Sequence, residues 1–174
     1  GSLVIAVRGQ GTWTTPLVNS EAMTSNQAAP FDEAAPFAAL HVAAQTDPAG
    51  ARVLRSFESG HTDASKIDAF THMLGVQAAP VLMDSQAKYA VLAAGGGDLL
   101  LRLLSPDKPD YREKIWDQTA GSLVLEEAGG RITDLGGKGL DFTTGRELKH
   151  NRGLLASNGH LHAAALKALH ALDA

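Results

Sequence analysis

The sequence predicts an α/β fold, a layered sheet flanked by helices. From residue 51 onward, short apolar runs alternate with longer runs of helical rhythm, and glycine or proline punctuates the junctions. That alternation is the pattern of strands and helices packed as layers around one core. A chain of 174 residues is long enough for one such domain. No internal repeat is visible.

In order, residues 3–18 read as two short strands around the turn Gly9-Gln10-Gly11. Residues 19–50 are Ala/Pro-rich, with Pro30, Pro36 and Pro48 and no sustained periodicity, and read as a long surface loop or insertion with room for a helical turn. Residues 51–57 form a strand. A helix follows, capped by Thr62 or Asp63 and stopped by Gly75. P-V-L-M-D at 80–84 reads as a buried strand, and a helix runs from Ser85 to the stop Gly95-Gly96-Gly97. Residues 98–104 make the next strand, and 105–111 a proline-punctuated loop. The helix in 112–130 ends at Gly129-Gly130. Strands at 131–135 and 153–157 flank a glycine-rich loop with L-D-F at 140–142, and an amphipathic helix closes the chain.

A net charge of −4 argues against a general nucleic-acid binder, which normally presents a basic face. It leaves room for a small phosphorylated ligand met by a few placed cations. The absence of cysteine removes disulfides, thiolate metal sites and thiol nucleophiles, and is compatible with a cytoplasmic setting. No apolar run approaches the roughly 18 residues of a membrane span, and no signal peptide is visible.

The candidate chemistry lies at strand ends, where α/β sheets place ligands. Ser85 sits at a strand-to-helix junction, with Lys88 one turn on. A serine there can be a simple cap. A lysine in the first turn is disfavoured by the helix dipole, so the pair would suit an anion held by hydroxyl, backbone N–H groups and charge. The companion motifs of penicillin-binding enzymes are absent. Arg102 interrupts D-L-L-L-R-L-L and must pair with an acid, Asp98 and Asp84 being the candidates, or reach a ligand. His61 follows another strand and could reach the same edge or be a plain surface residue. The remaining histidines show no zinc spacing. Glu126 and Glu127 are adjacent on a helix, which favours solvated or capping roles over a catalytic pair. Asp117, directly after Trp116, could cap its helix or hold a hard cation at the helix mouth.

W-D-Q-T-A-G, followed by E-E-A-G-G-R-I-T-D and L-D-F, closely resembles the carboxy-terminal signature of the lithium-sensitive, magnesium-dependent phosphatases of the inositol monophosphatase superfamily. E-S-G-H-T, M-D-S-Q-A-K-Y, L-R-L and E-K-I-W-D, in that order, resemble the 3′(2′),5′-bisphosphate nucleotidases within it. The match covers roughly residues 51–160, and more loosely the opening strands.

The resemblance implies the carboxy-terminal lobe of that fold. It implies removal of the 3′-phosphate from 3′-phosphoadenosine 5′-phosphate or its 5′-phosphosulfate, a place in sulfur assimilation, and Mg²⁺ as cofactor. Asp117 is implied to be a magnesium ligand, with Trp116 packing the helix start and Ala120 and Gly121 allowing close approach. His61, Ser85, Lys88 and Arg102 are implied to contact the nucleotide. The family's D-P-I-D-G-T motif does not occur; the nearest Asp-Pro, Asp47-Pro48, is followed by A-G-A. Gly1-Ser2 reads as a scar, and the expectation is one lobe over 1–174 lacking the amino-terminal metal-binding lobe and inactive alone. Two alternatives stay open: a lobe of an inositol phosphate phosphatase, and a non-enzymatic domain that binds a nucleotide or a partner protein.

Overall fold

The computed structural model of the chain describes residues 1–17, 36–57, 64–105 and 108–172. Its principal sheet has five strands: β4 (Val53–Arg55), β5 (Val81–Leu82), β6 (Leu99–Arg102), β7 (Arg131–Thr133) and β8 (Leu154–Ser157), in the order β5-β4-β6-β8-β7. β4 runs parallel to β5 and β6, while β8 is antiparallel to both β6 and β7. Among the described residues four helices complete this unit: α1 (Ala64–Leu74), α2 (Ala87–Ala93), α3 (Ile115–Glu127) and α4 (His162–Ala171).

The leucine-rich strands are continuous apolar runs because both sheet faces are covered. Successive side chains alternate between faces. Val53, Leu99, Leu101 and Leu155 join Ile67 and Phe70 of α1 and Ala165 and Leu169 of α4. Leu54, Leu100, Leu154 and Ala156 join Tyr89 and Leu92 of α2 and Leu125 of α3. Leu99, Leu100 and Leu101 are each 2% exposed or less, and burial of each contributes about 2 kcal/mol. The fold is therefore three layers, helices on either side of a mixed sheet, as the alternation predicts.

A second sheet forms a fourth layer. β1 (Ser2–Val7) and β2 (Gly11–Pro16) are a hairpin around Gly9, and β3 (Ala38–Ala39) extends it in the order β1-β2-β3. This sheet rests on α3, whose Glu126 and Glu127 reach across. Glu127 accepts the backbone N–H groups of Gly9 and Gly11 at 2.9 and 3.0 Å, and Glu126 pairs with Arg8 at 2.7 Å. The two carboxylates thus clamp the hairpin turn to the helix, a use that their adjacency did not suggest.

Other departures from the sequence reading have equally local causes. The 80–84 run becomes a two-residue edge strand with Leu82 45% exposed, since no described strand pairs beyond β5. Within 36–50 the chain supplies the short strand β3, which the loop reading did not include, while the 3₁₀ turn at Pro48–Gly50, capped by Asp47, is the helical turn that reading allowed. The expected helix stops hold, with Gly75, Gly95 and Gly129 all at positive φ. The anticipated caps Thr62 and Asp63 lie outside the described residues, as do 18–35 of the insertion. No described helix is long and apolar enough to cross a membrane.

Candidate active site

Four elements converge at one end of the sheet. β5 leads into Ser85, α2 carries Lys88 and Tyr89, β6 ends on Arg102, and the first turn of α3 carries Asp117. Ser85, Gln86, Lys88, Tyr89, Leu100, Arg102, Tyr111 and Asp117 line a cavity of about 290 Å³. Four of the five residues singled out from the sequence are therefore brought together. The fifth, His61, lies outside the described residues.

Ser85 is the one described non-glycine residue at positive φ, 77°. A serine in that region carries strain, and such strain concentrates at functional sites. Its hydroxyl accepts the N–H of Ala87 at 3.1 Å, and Lys88 N–H bonds back to the Ser85 carbonyl at 3.4 Å. The backbone donors expected to hold an anion are thus engaged within the turn, which leaves side-chain charge as the main anion-holding element.

That charge is distinctive. Lys88 is 6% exposed, and its Nζ donates to Ser56 Oγ at 2.7 Å. No described carboxylate lies within ion-pair distance of it. Burial, and then the neighbouring Arg102 cation, push the Lys88 pKa down, against a smaller opposing pull from Asp84. Arg102 is paired, but not with Asp98 or Asp84. Asp98 is fully buried and taken by Arg52 at 2.9 Å, and Asp84 accepts the Phe57 N–H. The partner of Arg102 is Glu113, whose Oε1 accepts from Nε at 2.9 Å.

Glu113 opens a buried relay that sequence reasoning missed. Its Oε2 accepts from Gln118 Nε2 at 2.6 Å, and Gln118 Oε1 accepts from the Tyr89 hydroxyl. Burial, then Glu113, push the Tyr89 pKa far up, so the phenol remains a donor. These residues sit inside or beside the quoted motifs, but their pairing spans three elements and leaves no periodic trace.

Asp117 is the third residue of α3; the cap position is Lys114, and the Asp117 carboxylate accepts no hydrogen bond from a described residue. The capping reading therefore falls. A carboxylate near a helix N-terminus without a hydrogen-bonded partner suits a hard cation that keeps several waters. Among the described residues no group of three or more metal-ligating side chains is assembled, so Asp117 would supply one ligand.

Two expectations around Asp117 need correction. Trp116 does not pack the helix start: it is 59% exposed, with the Arg146 guanidinium over its ring at 5.5 Å. Ala120 is exposed as well. Gly121 does permit a close approach, but of Tyr89, whose ring a Cβ at that position would overlap.

The layered α/β unit thus carries a cation-lined cavity at its strand ends, beside an acidic helix mouth. The inositol monophosphatase family model matches residues 1–174, and the chain belongs to that family. It is 38% identical over 157 residues to a 3′(2′),5′-bisphosphate nucleotidase of Emericella nidulans, covering 90% of this chain and 41% of that protein. To the 3′(2′),5′-bisphosphate nucleotidase of Schizosaccharomyces pombe it is 50% identical over 100 residues, 58% of this chain and 28% of that one. An inositol monophosphatase structure from Anabaena superposes with a TM-score of 0.61 at 23% identity, covering 98% of this chain and 54% of that chain. The chain thus spans less than half the length of these curated relatives.

Proposed function

We propose that this chain is the substrate-gripping lobe of a magnesium-dependent phosphatase that converts 3′-phosphoadenosine 5′-phosphate to adenosine 5′-phosphate and phosphate. The observation that carries the reading is the convergence of Ser85, Lys88, Arg102 and Asp117 on one cavity, with a buried lysine lacking a described carboxylate. A phosphate would supply the missing counter-charge. The bisphosphate nucleotidases at 38% and 50% identity support the nucleotide over an inositol phosphate.

In this reading Lys88 and Arg102 hold the 5′-phosphate, Arg102 through the N–H donors that Glu113 leaves uncommitted. The Ser85 hydroxyl and His61 border the nucleotide. Asp117 would supply one ligand to a magnesium ion. When bound, the metal ions lower the pKa of the attacking water and neutralise charge on the phosphoryl and leaving oxygens. Among the described residues Asp117 is the single carboxylate offered to the metal, and one carboxylate cannot fix two ions about 3.5–4 Å apart; in this reading further ligands come from a second, amino-terminal lobe, and this chain alone does not turn over.

The test is magnesium-dependent phosphate release from 3′-phosphoadenosine 5′-phosphate, by this chain and by the chain extended along its upstream reading frame. Release by the extended form alone is expected. Release by the 174 residues alone would remove the second lobe from the account. Hydrolysis of inositol 1-phosphate in preference to the nucleotide would replace the substrate.

A further inference from the structure

We propose that Glu113 is a positioning residue that sets the preference for a substrate carrying a second phosphate, by fixing Arg102 and tying it to the helix turn that bears Asp117. The inference rests on the phosphatase reading and deepens it.

Glu113 is 4% exposed, and both of its carboxylate oxygens are engaged. One holds Arg102 Nε at 2.9 Å, the other Gln118 Nε2 at 2.6 Å. Because a carboxylate only accepts, Gln118 must turn its NH₂ towards Glu113 and its oxygen towards the Tyr89 hydroxyl. The relay is thereby fixed in one direction from β6 to α3 to α2. The backbone of Glu113 is pinned too, since its carbonyl accepts the Leu148 N–H at 2.9 Å. Arg102 is thus held against a rigid support, and Gln118 is the residue after Asp117 in the first turns of α3.

The charge arrangement gives this support a function beyond packing. Arg102 and Lys88 are neighbouring cations, close enough for Arg102 to depress the Lys88 pKa. With the cavity empty, two partly desolvated cations side by side are unfavourable. Glu113 offsets one of them from behind while engaging only one of the five guanidinium N–H donors. The Nη groups stay out of this bond, and the guanidinium plane is set before a ligand arrives. Preorganisation of that kind strengthens binding by removing the ordering cost of a long side chain. Arg102 is distant in role from the bond that breaks, so its alignment should appear in substrate preference and not in the chemical step.

The experiment compares Glu113→Gln with the unaltered sequence, in whichever form of the protein releases phosphate, on 3′-phosphoadenosine 5′-phosphate and on adenosine 3′-phosphate. The isosteric amide keeps an acceptor for Nε but not the charge. For the bisphosphate, KM is expected to rise about tenfold with kcat within about twofold, and for the monophosphate both are expected to stay within about twofold. A purely structural role would lower activity on both substrates alike, and that result, or a bisphosphate KM that stays or falls, overturns the inference. If Glu113→Gln does not fold, Tyr89→Phe removes only the far end of the relay, and the same selective rise, about threefold, is expected. Should no form release phosphate, calorimetry with adenosine 5′-phosphate on this chain separates the two ideas. Binding that weakens about tenfold in Glu113→Gln upholds the positioning role while the activity reading fails, whereas equal binding, or none, overturns it.

Discussion

Lys88 shows how a single residue carries both stability and function. It is a buried cation whose described partner is a hydroxyl, so its charge costs folding free energy that a ligand phosphate would return. Lys88→Met should therefore stabilise the unliganded chain by about 1–2 kcal/mol while weakening adenosine 5′-phosphate binding at least about tenfold. Urea midpoints and calorimetry on the same samples check both. Because the folded pKa is lowered, the unfolded chain holds this proton more tightly. Stability from this group accordingly rises with pH between the lowered value and the ordinary lysine value, and Lys88→Met should abolish that rise. At this scale the sequence was informative where a motif marked a residue: Ser85, Lys88, Arg102 and Asp117 all reach the cavity. It was silent on Glu113, Gln118 and Tyr89, because a hydrogen bond between elements 29 residues apart has no spacing rule to betray it.

Between elements, the contact of α2 with α3 determines whether that cavity keeps its shape. Gly121 lies on α3 where Tyr89 of α2 crosses, and a Cβ there would overlap the ring. Gly121→Ala should cost about 2 kcal/mol through overpacking, even though alanine is the better helix former. In a Tyr89→Leu background most of that penalty should vanish, a coupling that thermal unfolding of the four variants measures. The clamp of Glu127 on the β1–β2 turn predicts a different signature. Glu127→Gln should leave the principal sheet intact and speed amide exchange at Gly9 and Gly11 by about tenfold, read by hydrogen–deuterium exchange. Strands and helices from residue 51 onward were legible because apolar period and glycine punctuation agree there. Two features were not legible. β5 and the core strands are equally apolar in sequence, yet β5 lies at the sheet edge, and Trp116 faces outward under Arg146 although its size suggests core. Burial of a given side chain depends on which neighbour the topology supplies, and local sequence does not encode that.

Across the whole molecule, one buried histidine ties the principal sheet to its last helix. His162 opens α4 with no exposed surface. Its Nδ1 meets Ser157 Oγ of β8 at 2.8 Å, and its Nε2 meets Thr133 Oγ1 of β7 at 3.0 Å. Burial, and then the Arg131 cation, lower its pKa to about 4. The unfolded chain takes up this proton near the ordinary value of 6.5, while the folded chain refuses it until about 4. Stability is thus fully present above the ordinary value and declines as pH falls through the window between the two. The loss by pH 5 is on the order of 2 kcal/mol. The described carboxylates whose pKa values are depressed, Glu127, Asp141 and Glu147, contribute stability that is lost only as pH falls below the ordinary carboxylate range. The histidine should therefore dominate the upper part of the acid limb. Urea unfolding at pH 7 and pH 5 is expected to show this decline, and His162→Gln, which keeps a hydrogen-bonding group but cannot charge, should flatten it. A decline of equal size in His162→Gln would assign the acid sensitivity to another group and leave Ser157, His162 and Thr133 as a neutral hydrogen-bonded junction.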